Sequence, residues 1–173
     1  MASVKLKGFV GVPRIMADWS PTAYLQFADE RARPLRDLVA QVPIASPQLV
    51  YDLGCGPGNS TAVLGKAYPQ AEIIGVDNSP AMLAKARATL PQRKFIKADI
   101  ATWQPHPAAD LLFSNATFQW VPGHAEVLLR LLKGQKRGGA VAAQMPDNLH
   151  EPSHHLMRAT AADGPWADRF PSA

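Results

Sequence analysis

The chain has 173 residues, of which 47% are hydrophobic and 18% charged, with a formal net charge of +4 and one cysteine. That length predicts one domain with a substantial core. No run approaches the ~18 to 20 apolar residues of a membrane span, and a lone cysteine excludes an internal disulfide framework and fits a reducing cytoplasm.

Lys5, Lys7 and Arg14 supply three of the four excess positive charges. The other bases are dispersed, except Lys133, Lys136 and Arg137, which follow a predicted helix and complement its dipole. Neither nucleic acid nor membrane is therefore expected as a partner. Oligomeric state is not legible from the sequence.

In chain order, Ser20-Pro21 predicts a helix start. Tyr24, Leu25, Ala28, Ala32, Leu35, Leu38, Val39 and Val42 trace one apolar helical face, and Pro34 predicts two helices or a kink near Arg33. Leu49, Val50, Tyr51 and Leu53 form a buried strand running into Gly54-Cys55-Gly56-Pro57-Gly58. Asn59 and Ser60 are expected N-caps for a helix that ends before Pro69. Glu72-Ile73-Ile74-Gly75-Val76-Asp77 is a second strand, and Ser79-Pro80 opens the next helix with a cap and a first-turn proline. Lys94 to Lys97, Asp110 to Asn115 and Ala140 to Met145 are the remaining strands. Helices are expected over Glu126 to Leu132, stopping at Gly134, and over Glu151 to Ala162. Trp103 and His106 lie in a proline-rich loop that fixes neither.

This alternation predicts an α/β fold built on a doubly wound parallel sheet. Ligands of such sheets bind beyond the carboxyl ends of the strands. Asn115 to Trp120 should therefore border a pocket, with Ala116, Phe118 and Trp120 as apolar wall. No sixth or seventh strand is evident after Met145.

The glycine turn carries the chemistry. Gly54, Gly56 and Gly58 permit φ > 0 and remove the Cβ atoms that would hold a ligand away. The dinucleotide fingerprint G-x-G-x-x-G needs a third glycine where Asn59 stands, and Pro57 removes an amide donor. A nucleoside without a pyrophosphate fits better, with a plain structural turn as the alternative. Asp77 follows Gly56 by 21 residues, close to the spacing at which an acid reaches a ribose diol. There is no Ser/His/Asp constellation, no Cys-x-x-Cys and no metal-ligand spacing around His124. Cys55 has no dedicated base. No catalytic side chain and no metal are assigned.

Asp52-Leu53-Gly54-Cys55-Gly56-Pro57-Gly58, followed by Gly75-Val76-Asp77-Asn78-Ser79-Pro80-Ala81-Met82, resembles the class I S-adenosylmethionine-dependent methyltransferases, with their Rossmann-like fold. Asp18-Trp19-Ser20-Pro21 through Glu30-Arg31-Ala32-Arg33-Pro34, then Phe118-Gln119-Trp120 and Gln144-Met145-Pro146-Asp147-Asn148, are similar to the trans-aconitate 2-methyltransferase family within that class. The resemblance starts at Met16, which makes 1–15 an extraneous or flexible arm and 16–173 the methyltransferase domain. The family fold has seven strands, so the domain reads as incomplete at its C-terminus.

The resemblance implies S-adenosylmethionine as cofactor, held by Asp52, Gly54, Cys55, Gly56, Gly58, Asn59, Asp77, Asn78, Met82, Asp99, Ile100 and Asn115. Asp99 would accept from the adenine amino group. The methyl group would pass to a carboxylate of a small polycarboxylic acid, trans-aconitate first, lying among Tyr24, Arg31, Arg33, Gln119, Trp120, Gln144 and Asn148. Paired guanidinium groups at Arg31 and Arg33 suit further carboxylates. A carboxylate acceptor is ionised near neutral pH, so no general base is required. The alternatives are a methyltransferase for another small molecule, or a cofactor-binding fragment with little turnover.

Overall fold

The structure is a computed structural model that describes residues 28–169, with side chains from Arg33 onward. The expectations for Tyr24, for the helix start at Ser20 and for the arm at 1–15 lie outside those residues. So does the side chain of Arg31.

Five parallel strands form one sheet in the order β3-β2-β1-β4-β5. They are β1 (Leu49–Leu53), β2 (Glu72–Asp77), β3 (Lys94–Lys97), β4 (Leu111–Asn115) and β5 (Ala140–Gln144). The helices are α1 (Ala28–Ala40), α2 (Asn59–Ala67), α3 (Pro80–Thr89), α4 (His124–Lys133) and α5 (Pro152–Ala162). Strand β1 is central: Asp52 pairs with Gly75 on one side and with Phe113 on the other. All five strands are parallel, so their carboxyl ends share one rim, where a ligand is expected.

The central strands read as nearly unbroken apolar runs because both faces of the sheet are covered. Side chains alternate between two cores. Val50, Ile73, Leu111 and Phe113 meet Leu35 of α1 and Leu64 of α2 on one face. Tyr51, Leu53, Ile74, Val76 and Leu112 meet Val127 and Leu131 of α4 on the other, together with Ile100 and Phe118. Each fully buried residue of this size stabilises the fold by about 1.5 to 3 kcal/mol.

Two local expectations are corrected. Helix α1 runs from Ala28 to Ala40 with Pro34 inside it, so of the two helices or kink expected near Arg33 the two-helix form does not hold. Leu35 is buried immediately after the proline, with Leu38 and Val39 packed behind it; that burial offsets the one backbone hydrogen bond the proline forfeits. At α2, neither Asn59 nor Ser60 is the cap. Gly58 occupies the N-cap position at φ 97°, no side chain caps the helix, and Asn59 is the first helical residue. The Ser60 hydroxyl is turned to Asp52 instead. The expected cap of α3 is present: Ser79 Oγ accepts from the Met82 amide at 3.2 Å, with Pro80 in the first turn.

At the opposite end of the sheet Asp110 ties three strands together. Its Oδ2 accepts from the amides of Gln48 and Leu49, both at 2.9 Å, and its Oδ1 pairs with Lys136. Burial works against the charged carboxylate, but the Lys136 bond and the two amides outweigh it and lower the pKa. The resulting stabilisation is complete above the unfolded-state value and is lost as pH falls through the lower folded-state value. Asp110→Asn should cost about 1 to 2 kcal/mol at neutral pH, the site being partly solvated. Urea unfolding at pH 7 and pH 3 should show that difference shrinking at the lower pH.

Candidate functional site

At the carboxyl rim, the end of β1 turns sharply. Gly54 and Gly56 lie at φ 70° and 53°, in the left-handed region. The amides of Gly54 and Cys55 both donate to the Val76 carbonyl, at 2.7 and 3.1 Å, which binds the turn to the end of β2. A Cβ on Gly54 would lie 2.2 Å from the Thr117 side chain, so the residue is glycine for lack of room. A Cβ on Gly56 would meet no atom within 4 Å. Gly56 thus opens backbone directly onto free space.

Asp77, at the end of β2, completes the turn. Its Oδ2 accepts from the Gly56 amide at 2.9 Å and its Oδ1 from the Ser79 amide at 2.8 Å. One carboxylate thereby holds the glycine turn and the entry to α3.

These groups border a cavity of about 500 Å³, lined by Pro34, Gly54, Gly56, Asp77, Asn78, Met82, Asn115, Ala116, Thr117, Gln119, Trp120, Gln144 and Pro146. That volume suits a nucleoside-sized ligand together with a small second molecule. On its β4 side Ala116 adopts φ 54°, rare outside glycine. The Ala116 amide donates to the Gln144 carbonyl, and its own carbonyl accepts from Gln119 Nε2, both at 2.8 Å. Two buried wall atoms, Asn115 Oδ1 and Gln119 Oε1, have no hydrogen-bond partner. Buried acceptors of this kind are costly unless a donor meets them. A ligand bearing N–H or O–H groups fits that wall.

The expected site residues divide. Gly54, Gly56, Asp77, Asn78, Met82, Asn115, Gln119, Trp120 and Gln144 share the cavity wall. Asp52, Cys55, Gly58, Asn59, Asp99, Ile100, Arg33 and Asn148 are not in it. Asp52 and Cys55 are buried beneath the turn, Ile100 is buried, and Asp99, Arg33 and Asn148 are exposed. Phe118 is fully buried in the core, so the apolar wall on this side is Ala116 and the 66% exposed Trp120. Thr117 lines the cavity within the Asn115 to Trp120 stretch expected at the rim, whereas Pro34 and Pro146 line it without having been assigned to the site from sequence.

Burial raises the Cys55 thiol pKa strongly, and Asp52 and Asp77 raise it further. No trio of His, Cys, Asp or Glu among the described residues is arranged to hold a metal ion.

A methyltransferase domain pattern matches residues 50–139. The chain belongs to the methyltransferase domain family. The match runs from β1 to the residue before β5 and takes in the glycine turn, Asp77 and the β4 rim. Trans-aconitate 2-methyltransferase of Rhodopseudomonas palustris (strain BisB5) is 57% identical over 158 residues, covering 91% of this chain and 62% of that protein. Trans-aconitate 2-methyltransferase of Methylobacterium radiotolerans is 57% identical over 152 residues, covering 88% and 58%. The chain therefore spans about three fifths of the length of these relatives.

Among solved structures, the plantazolicin methyltransferase BpumL, in complex with a pentazolic desmethylPZN analogue and SAH, superposes with a TM-score of 0.63 at 19% identity, covering 83% of this chain and 56% of that one. SAM-bound CalS10, an amino pentose methyltransferase from Micromonospora echinaspora, gives 0.57 at 22% identity, covering 73% and 55%. The fold is thus a Rossmann-like methyltransferase fold. No helix among the described residues is long and apolar enough to cross a membrane.

Beneath this methyltransferase turn, Asp52 is fully buried. Its Oδ2 accepts from Ser60 Oγ at 2.7 Å and Thr61 Oγ1 at 2.6 Å, while Oδ1 has no partner. Burial pushes its pKa up to about 6, against the Thr61 and Ser60 bonds and with help from the charge on Asp77. The folded state thus prefers the neutral acid. Its favourable contribution is complete below the unfolded value of about 3.9 and is lost as pH rises through about 6. The charged form then costs the fold roughly 3 kcal/mol at most. Asp52→Asn should remove that slope, measured as unfolding free energy between about pH 4 and pH 7. An unchanged slope would place the titration elsewhere.

Proposed function

We propose that this chain binds S-adenosylmethionine in the rim cavity and transfers its methyl group to a carboxylate of a small polycarboxylic acid, trans-aconitate first among them. The observation that carries the cofactor half is the glycine turn latched by Asp77, with Gly56 presenting bare backbone to the cavity. The ribose hydroxyls would donate to the oxygen lone pairs of Asp77 that its two amides leave over. The methionine part would follow Gly54 and Gly56, toward the acceptor atoms of Asn115 and Gln119. Asp99 and Ile100 would stand at the base end. The acceptor half is carried by the trans-aconitate 2-methyltransferases at 57% identity.

The bound cofactor supplies an electrophilic methyl group on a sulfonium. The protein's part is placement: an acceptor oxygen held about 3 Å from that carbon, in line with the sulfur. An ionised carboxylate has no proton to lose, so the wall needs no base. Gln119, Trp120 and Gln144 would orient the acceptor. The reading includes a cytoplasmic location, supported by a single, free and buried cysteine.

One observation favours a second reading, in which the chain holds the cofactor and turns over slowly. No lysine or arginine is among the described residues lining the cavity, and the carboxylates that are not methylated need cations or several donors. Arg31, Arg33 and Tyr24 would have to supply them from the N-terminal side.

Transfer of tritiated methyl to a panel of di- and tricarboxylates tests both readings. Label in an aconitate ester supports the first, cofactor binding with no label the second, and neither result would refute both. Gly56→Ala should keep the fold, since its Cβ meets nothing, at a strain of about 1 to 2 kcal/mol. The same Cβ enters the cavity, so calorimetry should show S-adenosylhomocysteine affinity falling by at least about tenfold. Normal binding by the alanine variant would mean that the turn is not the cofactor cradle.

A further inference from the structure

The chain itself fixes how the Gln119 amide points. The Ala116 carbonyl can only accept, and it lies 2.8 Å from Gln119 Nε2. The nitrogen must therefore face it, which leaves Oε1 at the other end, buried and without a hydrogen-bond partner. An amide nitrogen carries two hydrogens, so one N–H is left over as well. Gln119 thus keeps one acceptor and one donor for a ligand, at the two ends of a single planar group.

The residue stands between the glycine turn and the end of β5, as the strand order β1-β4-β5 requires. Toward β1, the segment that follows β4 packs directly on the glycine turn. A Cβ on Gly54 would strike Thr117, and Thr117 Oγ1 donates to the Gly54 carbonyl at 3.4 Å. Toward β5, the same Ala116 that anchors Gln119 donates its amide to the Gln144 carbonyl. Phe118, fully buried, pins the short helical turn Phe118–Trp120 that carries Gln119.

The donors of S-adenosylmethionine are few: the adenine amino group, the ribose hydroxyls and the ammonium of the methionine part. With the hydroxyls on Asp77 and the methionine part along Gly54 and Gly56, the ammonium is the donor left for the β4 rim. It brings several N–H groups and a charge, which suits the unpartnered oxygens of Gln119 and Asn115. An ionised carboxylate is the reverse. It offers only lone pairs, so it can use the leftover N–H of Gln119 and not the oxygen. We infer that Gln119 bridges the two ligands: Oε1 accepts from the cofactor ammonium, and the remaining Nε2–H donates to the acceptor carboxylate. This rests on the cofactor reading above.

The test uses S-adenosylhomocysteine and its des-amino analogue, in which hydrogen replaces the ammonium. Calorimetry on the wild-type chain, Gln119→Met and Gln119→Leu would read each compound alone, with thermal melts on each variant. Trans-aconitate would then be titrated into chain saturated with S-adenosylhomocysteine. The wild type should prefer S-adenosylhomocysteine to the analogue by at least about tenfold. Gln119→Met should weaken S-adenosylhomocysteine about tenfold, the analogue less than about twofold, and trans-aconitate about tenfold. Equal losses for the two cofactor compounds would overturn the inference, as would unchanged trans-aconitate binding. So would a wild type that binds the two compounds equally, or one that takes S-adenosylhomocysteine but no trans-aconitate. Failure of both variants to fold would also overturn it, making Gln119 a residue of the fold alone. Wild-type binding to neither compound brings down the cofactor reading itself, and this inference with it.

Discussion

Both oxygens of the Asp77 carboxylate are occupied by main-chain amides, Gly56 on one and Ser79 on the other. A carboxylate offers about four lone-pair directions, so these two bonds leave acceptor capacity facing the cavity. Its charge also stands just ahead of α3, bonded to the amide of the N-cap Ser79, at the end of the helix where the dipole favours an anion. One side chain therefore does two things at once: it shapes the glycine turn and sets an acid in the cavity wall. Every other wall residue is placed relative to that pair, because β1 and β2 are the adjacent central strands.

The charge on Asp77 reaches downward as well. It raises the pKa of Asp52 and of Cys55, both sealed under the turn. Asp52 answers with two hydroxyl bonds from α2, which fasten that helix to the strand beneath it. The floor of the site is thus an acid held near neutrality and a thiol held protonated.

Long-range pattern was legible in the sequence, and local geometry was not. Strand runs such as Glu72 to Asp77 could be read because apolar continuity and a terminal acid survive in one dimension. The glycine turn was legible because glycine adopts its left-handed backbone without the strain other residues incur. The cap of α2 was misread: Asn59 and Ser60 have the right chemistry, but the left-handed Gly58 takes the position and Asp52 takes the serine. Pro34 was read as dividing two helices or kinking one, and the division fails because the burial of Leu35 behind it is a tertiary effect. Phe118 was put in the wall because the strand-end rule gives a neighbourhood, not a direction. Arg130 of α4 was invisible, since its partners are the carbonyls of Ile100, Ala101 and Trp103, 27 to 30 residues away. Trp103 was undecidable until Tyr51 was seen to face it.

Ala116 carries a consequence for how such a site can vary. Its left-handed backbone is a conformation that alanine adopts at a cost and glycine adopts freely. The same bend aims its carbonyl at Gln119 and its amide at Gln144. A glycine at 116 would relieve the strain in the folded state while loosening the two glutamines the bend holds. Robustness and the hold on Gln119 therefore pull in opposite directions at this one residue, and under the proposed function a gain in Tm accompanied by a loss of turnover is the signature of that trade. Selection for heat resistance alone would drift away from alanine here; selection for a well-held Gln119 would keep it.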